Sequence, residues 1–209
     1  MKISSLQYIT NGQTADEIYK EVEEVINAGV DWVQLRIKNP DMDFLTIARR
    51  VKELCNDKAV LIVNDKVDIA HRIDADGVHL GQGDMNISDA RKMLGSKRII
   101  GGTANTIEQC EQVIRDGADY IGLGPFRFTK TKKELSPELG LEGYELMVKD
   151  AMKIPVIAIG GLTTDDVRDL KAHSKVHGVA ISGFIFRAEN KRSVVEDLKE
   201  ILYGKVENS

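Results

Sequence analysis

Short strand-like and helix-like segments alternate eight times along this chain, and this alternation constrains the fold more than any other feature. The strand-like segments are apolar, and the run at 59–63 is apolar throughout, as is typical of strands buried on both faces. The intervening segments have helical periodicity, and several follow capping motifs such as Thr14-x-x-Glu17. Strict alternation predicts a parallel sheet, and eight repeats predict a closed (β/α)8 TIM barrel.

The chain length suits one such barrel. Its 209 residues contain no linker or low-complexity segment, so we expect a single α/β domain over 1–209. An open doubly wound sheet is the alternative fold, and it is less favoured because no GxGxxG motif follows the first strand.

Composition excludes several classes of partner. A net charge of -4 gives no general attraction to nucleic acid or to anionic membranes. We expect a cytoplasmic protein, because the sequence has no signal-peptide pattern and no run long enough to cross a membrane. Cys55 and Cys110 fall on apolar helix faces outside any metal-type spacing, which indicates reduced core residues. The polar outer helix faces leave both a monomer and a homo-oligomer open.

Hydroxyls and cations directly follow the predicted sixth strand, in the stretch Gly122–Lys133. Thr129, Thr131 and Lys132 give this loop many hydrogen-bond donors, which suits an anionic ligand such as phosphate. A solvated basic turn is the alternative for such a loop taken alone. We also expect the long, charged segment Arg127–Ser136 to be mobile without ligand.

The other strand ends carry further polar residues, and in a TIM barrel the chemistry lies at these ends. Gln34, Arg36 and Lys38 share one side of the second strand by its period of two. Cations on a buried strand indicate a ligand, or alternatively ion pairs with neighbouring acids, because unpaired charge is costly there.

Two carboxylates follow neighbouring strands. Asp65 comes directly after the third strand and Asp84 after the fourth, which predicts a divalent metal held between them. Magnesium suits this pair because it takes one or two carboxylates together with substrate phosphate oxygens and water. Zinc is less favoured, since His71 and His79 lack zinc-type spacing, and His79 is expected to line the core or the cavity.

The strand ends together predict two anion sites. The loops after strands seven and eight are the usual phosphate site of this fold, and here they carry paired glycines and the Ile181-Ser182 turn. The first predicted site comprises Arg36, Lys38, Asn64 and Lys132, and the second Thr129, Thr131, Gly161, Ile181 and Ser182. Because no Ser–His or Cys–His nucleophile stands out, the pattern indicates transfer between two small phosphorylated substrates.

These motifs, taken in order, resemble the thiamine phosphate synthase family. The resemblance rests on QLRxK after strand two, ND after strand three, DGVHLGQxD around strand four, GLGPxxxTxTKK around strand six and IGG after strand seven. It implies a magnesium-dependent transferase of thiamine biosynthesis. Such an enzyme joins 4-amino-2-methyl-5-(diphosphooxymethyl)pyrimidine to 4-methyl-5-(2-phosphooxyethyl)thiazole, releasing diphosphate, and CO2 if the carboxythiazole tautomer is used.

The resemblance also implies roles for individual residues. Asp65 and Asp84 would ligate Mg2+, and Arg36, Lys38 and Lys132 would act on the leaving diphosphate. The pyrimidine diphosphate would be held by Gln34, Arg36, Lys38, Asn64, Thr103 and Lys132, and the thiazole phosphate by Thr129, Thr131, Gly161, Ile181 and Ser182.

Some positions depart from the family pattern. Ile37 stands where glutamate is usual, Gly102-Thr103 replaces Val-Ser, and Asn105 stands where histidine is common. Asn105 bears on one alternative, a thiazole tautomerase-like paralogue that needs an acid/base histidine in this segment, since asparagine cannot transfer protons near neutral pH. The other alternative is a non-catalytic barrel that binds phosphorylated thiamine precursors.

Overall fold

The computed structural model describes residues 3–127, 137–148 and 152–204. Eight parallel strands close into a barrel in chain order, and β8 completes the ring by pairing with β1. The strands are β1 Leu6–Ile9, β2 Trp32–Leu35, β3 Val60–Asn64, β4 Gly77–Leu80, β5 Ile99–Ala104, β6 Tyr120–Leu123, β7 Val156–Ile159 and β8 Gly178–Ile181. The predicted TIM barrel is confirmed, and the open-sheet alternative is wrong.

The described residues also form nine helices around the barrel, none of which is long and apolar enough to cross a membrane. They are α1 Ala15–Asn27, α2 Phe44–Cys55, α3 Val67–Arg72, α4 Ile87–Leu94, α5 Ile107–Arg115, α6 Gly140–Met147, α7 Thr164–His173, α8 Gly183–Phe186 and α9 Lys191–Tyr203. The sequence predicts eight helices. It misses α8, because a single turn of four residues has no period to detect.

Threonine caps set several helix starts, as the sequence predicts. The hydroxyls of Thr14 and Thr106 each accept a hydrogen bond from the backbone three residues on. Among the helices that the structure describes, α7 alone has the full reciprocal capping box, between Thr163 and Asp166. Each cap satisfies an otherwise unpaired N–H at the point where a strand-to-helix loop ends.

Strand alternation divides the core into two layers. Val33 and Leu35 of β2 face outward and pack under the helices, whereas Trp32 faces into the barrel and meets Tyr120 edge-on, with ring centroids 5.0 Å apart. Isoleucines from the odd strands, Ile62, Ile99 and Ile157, join this inner layer. The inner layer fills the lower barrel, and the space for a site lies above it. Cys55 and Cys110 are free and buried in the outer layer, as expected.

Candidate active site

A cavity of about 370 Å³ opens at the C-terminal ends of the strands. All eight strands, or the loops that follow them, contribute to its lining. Nine of the predicted site residues line it: Gln34, Arg36, Asn64, Asp65, Asp84, Thr103, Gly161, Ile181 and Ser182. Parallel strands deliver these residues to one place because all their carboxyl ends meet at the same rim.

The remaining predicted residues lie elsewhere. Lys38 is outside the lining, and its ammonium group donates to the Asn11 side chain at 2.8 Å. Burial, together with the nearby charge of Arg36, lowers the pKa of Lys38. Thr129, Thr131 and Lys132 lie outside the described residues, as does nearly all of the segment predicted to be mobile.

Arg36 is held at the rim by its backbone. The Thr10 hydroxyl accepts from the Arg36 N–H at 2.8 Å and lies 2.9 Å from the Arg36 carbonyl oxygen, to which it can donate. This pairing continues the contact between β1 and β2 beyond the last residue of β2. Burial lowers the pKa of the guanidinium, and the carboxylate of Asp65 opposes that shift. A partly buried guanidinium that lines the cavity is suited to donate hydrogen bonds to an anionic ligand.

Asp65 and Asp84 form a pair at the ends of β3 and β4. Asp65 has a left-handed backbone, with φ of 64°, which is uncommon for a residue with a side chain and recurs at functional sites. The Asp84 carboxylate closes its own loop by accepting from the Gly81 N–H at 2.8 Å. Burial and the hydrogen-bonded Asp84 raise the pKa of Asp65 to about 6. Arg36, Asp65 and Asp84 are called the charged half of the mouth below.

This pair fits a divalent cation. Two carboxylates in hydrogen-bond contact repel each other when both are ionised, and a bound cation would remove that cost. Within the described ranges no group of three or more His, Cys, Asp or Glu residues is arranged to hold a metal. A donor set of only two carboxylates suits magnesium, which takes its remaining ligands from substrate and water.

The opposite side of the mouth is built from backbone. Gly160 and Gly161 follow β7 with φ of 103° and 68°, values that side-chain residues rarely adopt. A Cβ on Gly160 would lie 2.7 Å from the Pro125 Cβ, and one on Gly124 would lie 2.3 Å from the Ile159 carbonyl oxygen. The loops after β6 and β7 therefore touch at distances that only glycine allows. Gly124, Gly160, Gly161, Ser182 and Gly183 are called the glycine half below.

An ion pair supports the glycine half. Arg127 donates to both carboxylate oxygens of Asp166, at 2.7 and 2.6 Å, and to the Gly161 carbonyl oxygen at 3.2 Å. Asp166 also caps α7, so the start of that helix, the glycine turn and the end of the β6 loop are tied together. Leu139 N–H donates to the Pro125 carbonyl oxygen at 2.9 Å, so the residue that precedes α6 is held against the loop after β6.

Sequence reasoning missed one cation of the lining. Arg187 follows α8 and lines the cavity beside the glycine half, where a Cβ on Gly183 would lie 2.5 Å from its Nη1 atom. The sequence offers one hint of this position, which is that Arg187 follows Ser182 by more than one helical turn. Because α8 itself is too short to predict, nothing in the sequence directs Arg187 toward the mouth. Asn105 also lines the cavity, and His79 does so as predicted.

Comparison with known proteins shows which family this chain matches. Residues 6–185 match the family described as thiamine monophosphate synthase. A thiamine-phosphate synthase of Flavobacterium johnsoniae is 44% identical, over 97% of this chain and 98% of that protein. One from Bacteroides thetaiotaomicron is 46% identical, over 89% and 91%. Among solved structures, a thiamine phosphate pyrophosphorylase from Pyrococcus furiosus matches with a TM-score of 0.82 and 33% identity, covering 95% of both chains.

Proposed function

This chain belongs to the thiamine monophosphate synthase family, and we propose that it joins a pyrimidine diphosphate to a thiazole phosphate in the barrel-mouth cavity. Family membership makes it a transferase of thiamine biosynthesis. The observation that carries the detailed proposal is the division of one cavity into a charged half and a glycine half. Two differently built anion sites that face each other suit two phosphorylated substrates that must react together.

The charged half receives the diphosphate in this proposal. Asp65 and Asp84 would hold Mg2+, which when bound neutralises charge on the diphosphate oxygens. The guanidinium of Arg36 stabilises the negative charge that grows as the C–O bond to the diphosphate breaks. Lys38 and Lys132 belong to the same proposed set by resemblance, as do the pyrimidine-binding residues Gln34, Asn64 and Thr103.

The glycine half holds the second substrate by its phosphate. Positive-φ backbone at Gly160 and Gly161 allows the close approach that a phosphate group needs, and Arg187 adds a cation beside it. We assign Ile181, Ser182, Thr129 and Thr131 to the same phosphate. Held there, the thiazole nitrogen lies near the methylene carbon that loses diphosphate, and its lone pair forms the new C–N bond. Proximity accounts for much of such catalysis, and no protein nucleophile is needed.

The proposal extends to the whole chain and its setting. Because all eight strand ends line one cavity, we take residues 1–209 as one catalytic domain. A cytoplasmic location belongs to the same proposal, and the two free, buried thiols are compatible with a reducing compartment.

Measurement of diphosphate release tests the reaction. Purified protein with magnesium should release diphosphate only when both substrates are present, and chelation of the metal should abolish the release. The tautomerase-like and non-catalytic alternatives release none under any of these conditions. Release from the pyrimidine diphosphate alone, at the rate seen with both substrates, would contradict transfer and indicate hydrolysis.

A further inference from the structure

A chain of hydrogen-bonded side chains crosses the barrel directly below the cavity. The Gln34 amide donates to the Gln7 carbonyl at 3.0 Å, and the Gln7 amide donates to the Tyr120 hydroxyl at 3.4 Å. Tyr120 lies 3.0 Å from His79 Nδ1, and His79 Nε2 lies 2.9 Å from the Thr103 hydroxyl. Four of the five side chains are at most 6% exposed, and both ends of the chain line the cavity.

Two inward-facing glycines leave room for these hydrogen-bonded side chains. A Cβ on Gly101 of β5 would lie 2.1 Å from the Tyr120 ring. A Cβ on Gly122 of β6 would lie 2.8 Å from the His79 ring. Any side chain at either position would displace the Tyr120 or the His79 ring. Glycine at both positions therefore gives the polar residues the space to cross the barrel.

The donors and acceptors give the chain a direction. An amide nitrogen can only donate, so the Tyr120 oxygen accepts from Gln7, and its own proton points toward His79. Burial raises the pKa of Tyr120, and this effect outweighs the hydrogen bonds from Gln7 and Gln34, which lower it. The phenol therefore keeps its proton. His79 Nδ1 is then an acceptor, and a neutral imidazole carries its hydrogen on Nε2.

The last step reaches the cavity. His79 Nε2–H donates to the Thr103 oxygen, which leaves the Thr103 hydroxyl proton free to point away from His79. We propose that Tyr120 and His79 are positioning residues that fix the Thr103 hydroxyl as a donor toward an acceptor atom of the substrate in the charged half. This inference rests on the proposed function for its ligand, since Thr103 is assigned to the pyrimidine diphosphate.

Nitrogen NMR of histidine-labelled protein tests the direction of the chain without any substrate. The protein has four histidines, and a His79→Gln spectrum identifies the His79 signals by their loss. We expect a protonated Nε2 and an unprotonated Nδ1. Tyr120→Phe should weaken this preference, whereas Tyr144→Phe, which removes a buried hydroxyl outside the chain, should leave it unchanged. A His79 ring protonated on Nδ1 would overturn the proposal. Because this measurement needs no turnover, it can fail independently of the proposed reaction.

Kinetics test the consequence for binding. Tyr120→Phe and Thr103→Val should each raise KM for the pyrimidine diphosphate by roughly 3–10-fold, the effect of one neutral hydrogen bond. Thr103→Ser should restore the lower value, and KM for the thiazole phosphate should not change. The double variant should lose little more than either single one, because both remove the same donor. Fully additive losses, or equal rises in both KM values, would indicate general loosening of the barrel and contradict the proposal.

Discussion

The charged half of the cavity mouth presents three ionisable side chains, whereas four of the five residues that define the glycine half are glycines and present backbone. The carboxylates of Asp65 and Asp84 interact closely enough to raise a pKa, so removing one alters the site as a whole. A side chain on Gly160 would displace Pro125, and one on Gly161 would be strained by its positive φ, so substitutions at these glycines change backbone shape without removing a charge. We therefore expect substitutions in the charged half to lower turnover strongly, and substitutions in the glycine half to weaken substrate binding moderately.

The largest effect is expected at Asp84. Asp84→Asn keeps the side-chain shape but removes one of the two carboxylates, so kcat should fall about 10²–10³-fold, the loss typical of a key electrostatic group. The measurement is magnesium-dependent diphosphate release. The matched control is Asp89→Asn on α4, an exposed residue paired with Lys92, which should keep the wild-type rate. Full turnover by Asp84→Asn would exclude the carboxylate pair as the metal site.

A smaller effect is expected in the glycine half. Gly161→Ala forces a side chain into a left-handed conformation that costs about 1–2 kcal/mol, so KM for the thiazole phosphate should rise roughly tenfold. KM for the pyrimidine diphosphate should stay within about twofold of wild type, on the expectation that distant sites act independently. Gly95→Ala is the control, because Gly95 also has a positive φ but lies between α4 and β5, with open space around it. Equal changes in both KM values would contradict the division into halves.

The ion pair behind the glycine half should matter less. Arg127→Lys keeps the charge but loses the two-pronged contact with Asp166. KM for the thiazole phosphate should rise about 3–5-fold, which corresponds to about 1 kcal/mol. The control is Arg168→Lys, which alters an exposed ion pair with Asp165 on the outer face of α7. An Arg127→Lys effect confined to kcat would show that the pair serves the chemical step instead.

The smallest effect is expected behind the charged half, at Glu21. This buried carboxylate accepts from the Tyr8 hydroxyl at 2.5 Å and from the Gly12 N–H at 3.0 Å, and so holds the loop whose Asn11 contacts Lys38. Burial raises the pKa of Glu21 above its ordinary value. Its pH-linked contribution to stability is therefore full below the unfolded-state pKa of about 4.3, and it is lost as pH rises through the folded-state pKa.

Glu21→Gln removes this pH dependence. The Tm difference between wild type and Glu21→Gln should shift by a few degrees in favour of the variant as pH rises from about 4 to 7. Thermal melts across that range measure the shift. Glu23→Gln, an exposed change on the same helix, should show no such trend. A constant difference for Glu21→Gln would mean that the carboxylate is not perturbed by burial.

The strand-end residues that the sequence predicts to meet do meet where the structure describes them. Arg36, Asp65 and Gly161 all reach the cavity because each follows a strand whose direction is set by the barrel. Lys38 does not line the cavity, and its role toward the diphosphate stays a prediction. The period of two places Lys38 on the side of Arg36, but Lys38 lies three residues beyond the end of β2, and there its ammonium group contacts Asn11 instead. Strand periodicity stops predicting direction where the strand stops.

The sequence by itself determined the barrel and the rim on which the chemistry lies, because period, capping and strand order are local properties that add up along the chain. Only the tertiary structure decided which polar groups touch. The Asp65–Asp84 contact, the place of Arg187 in the lining and the chain from Gln34 to Thr103 depend on barrel closure. Gln7 and Tyr120, 113 residues apart, bond across the interior. Such contacts arise from the radius and register of the closed sheet, and no neighbouring residues encode them.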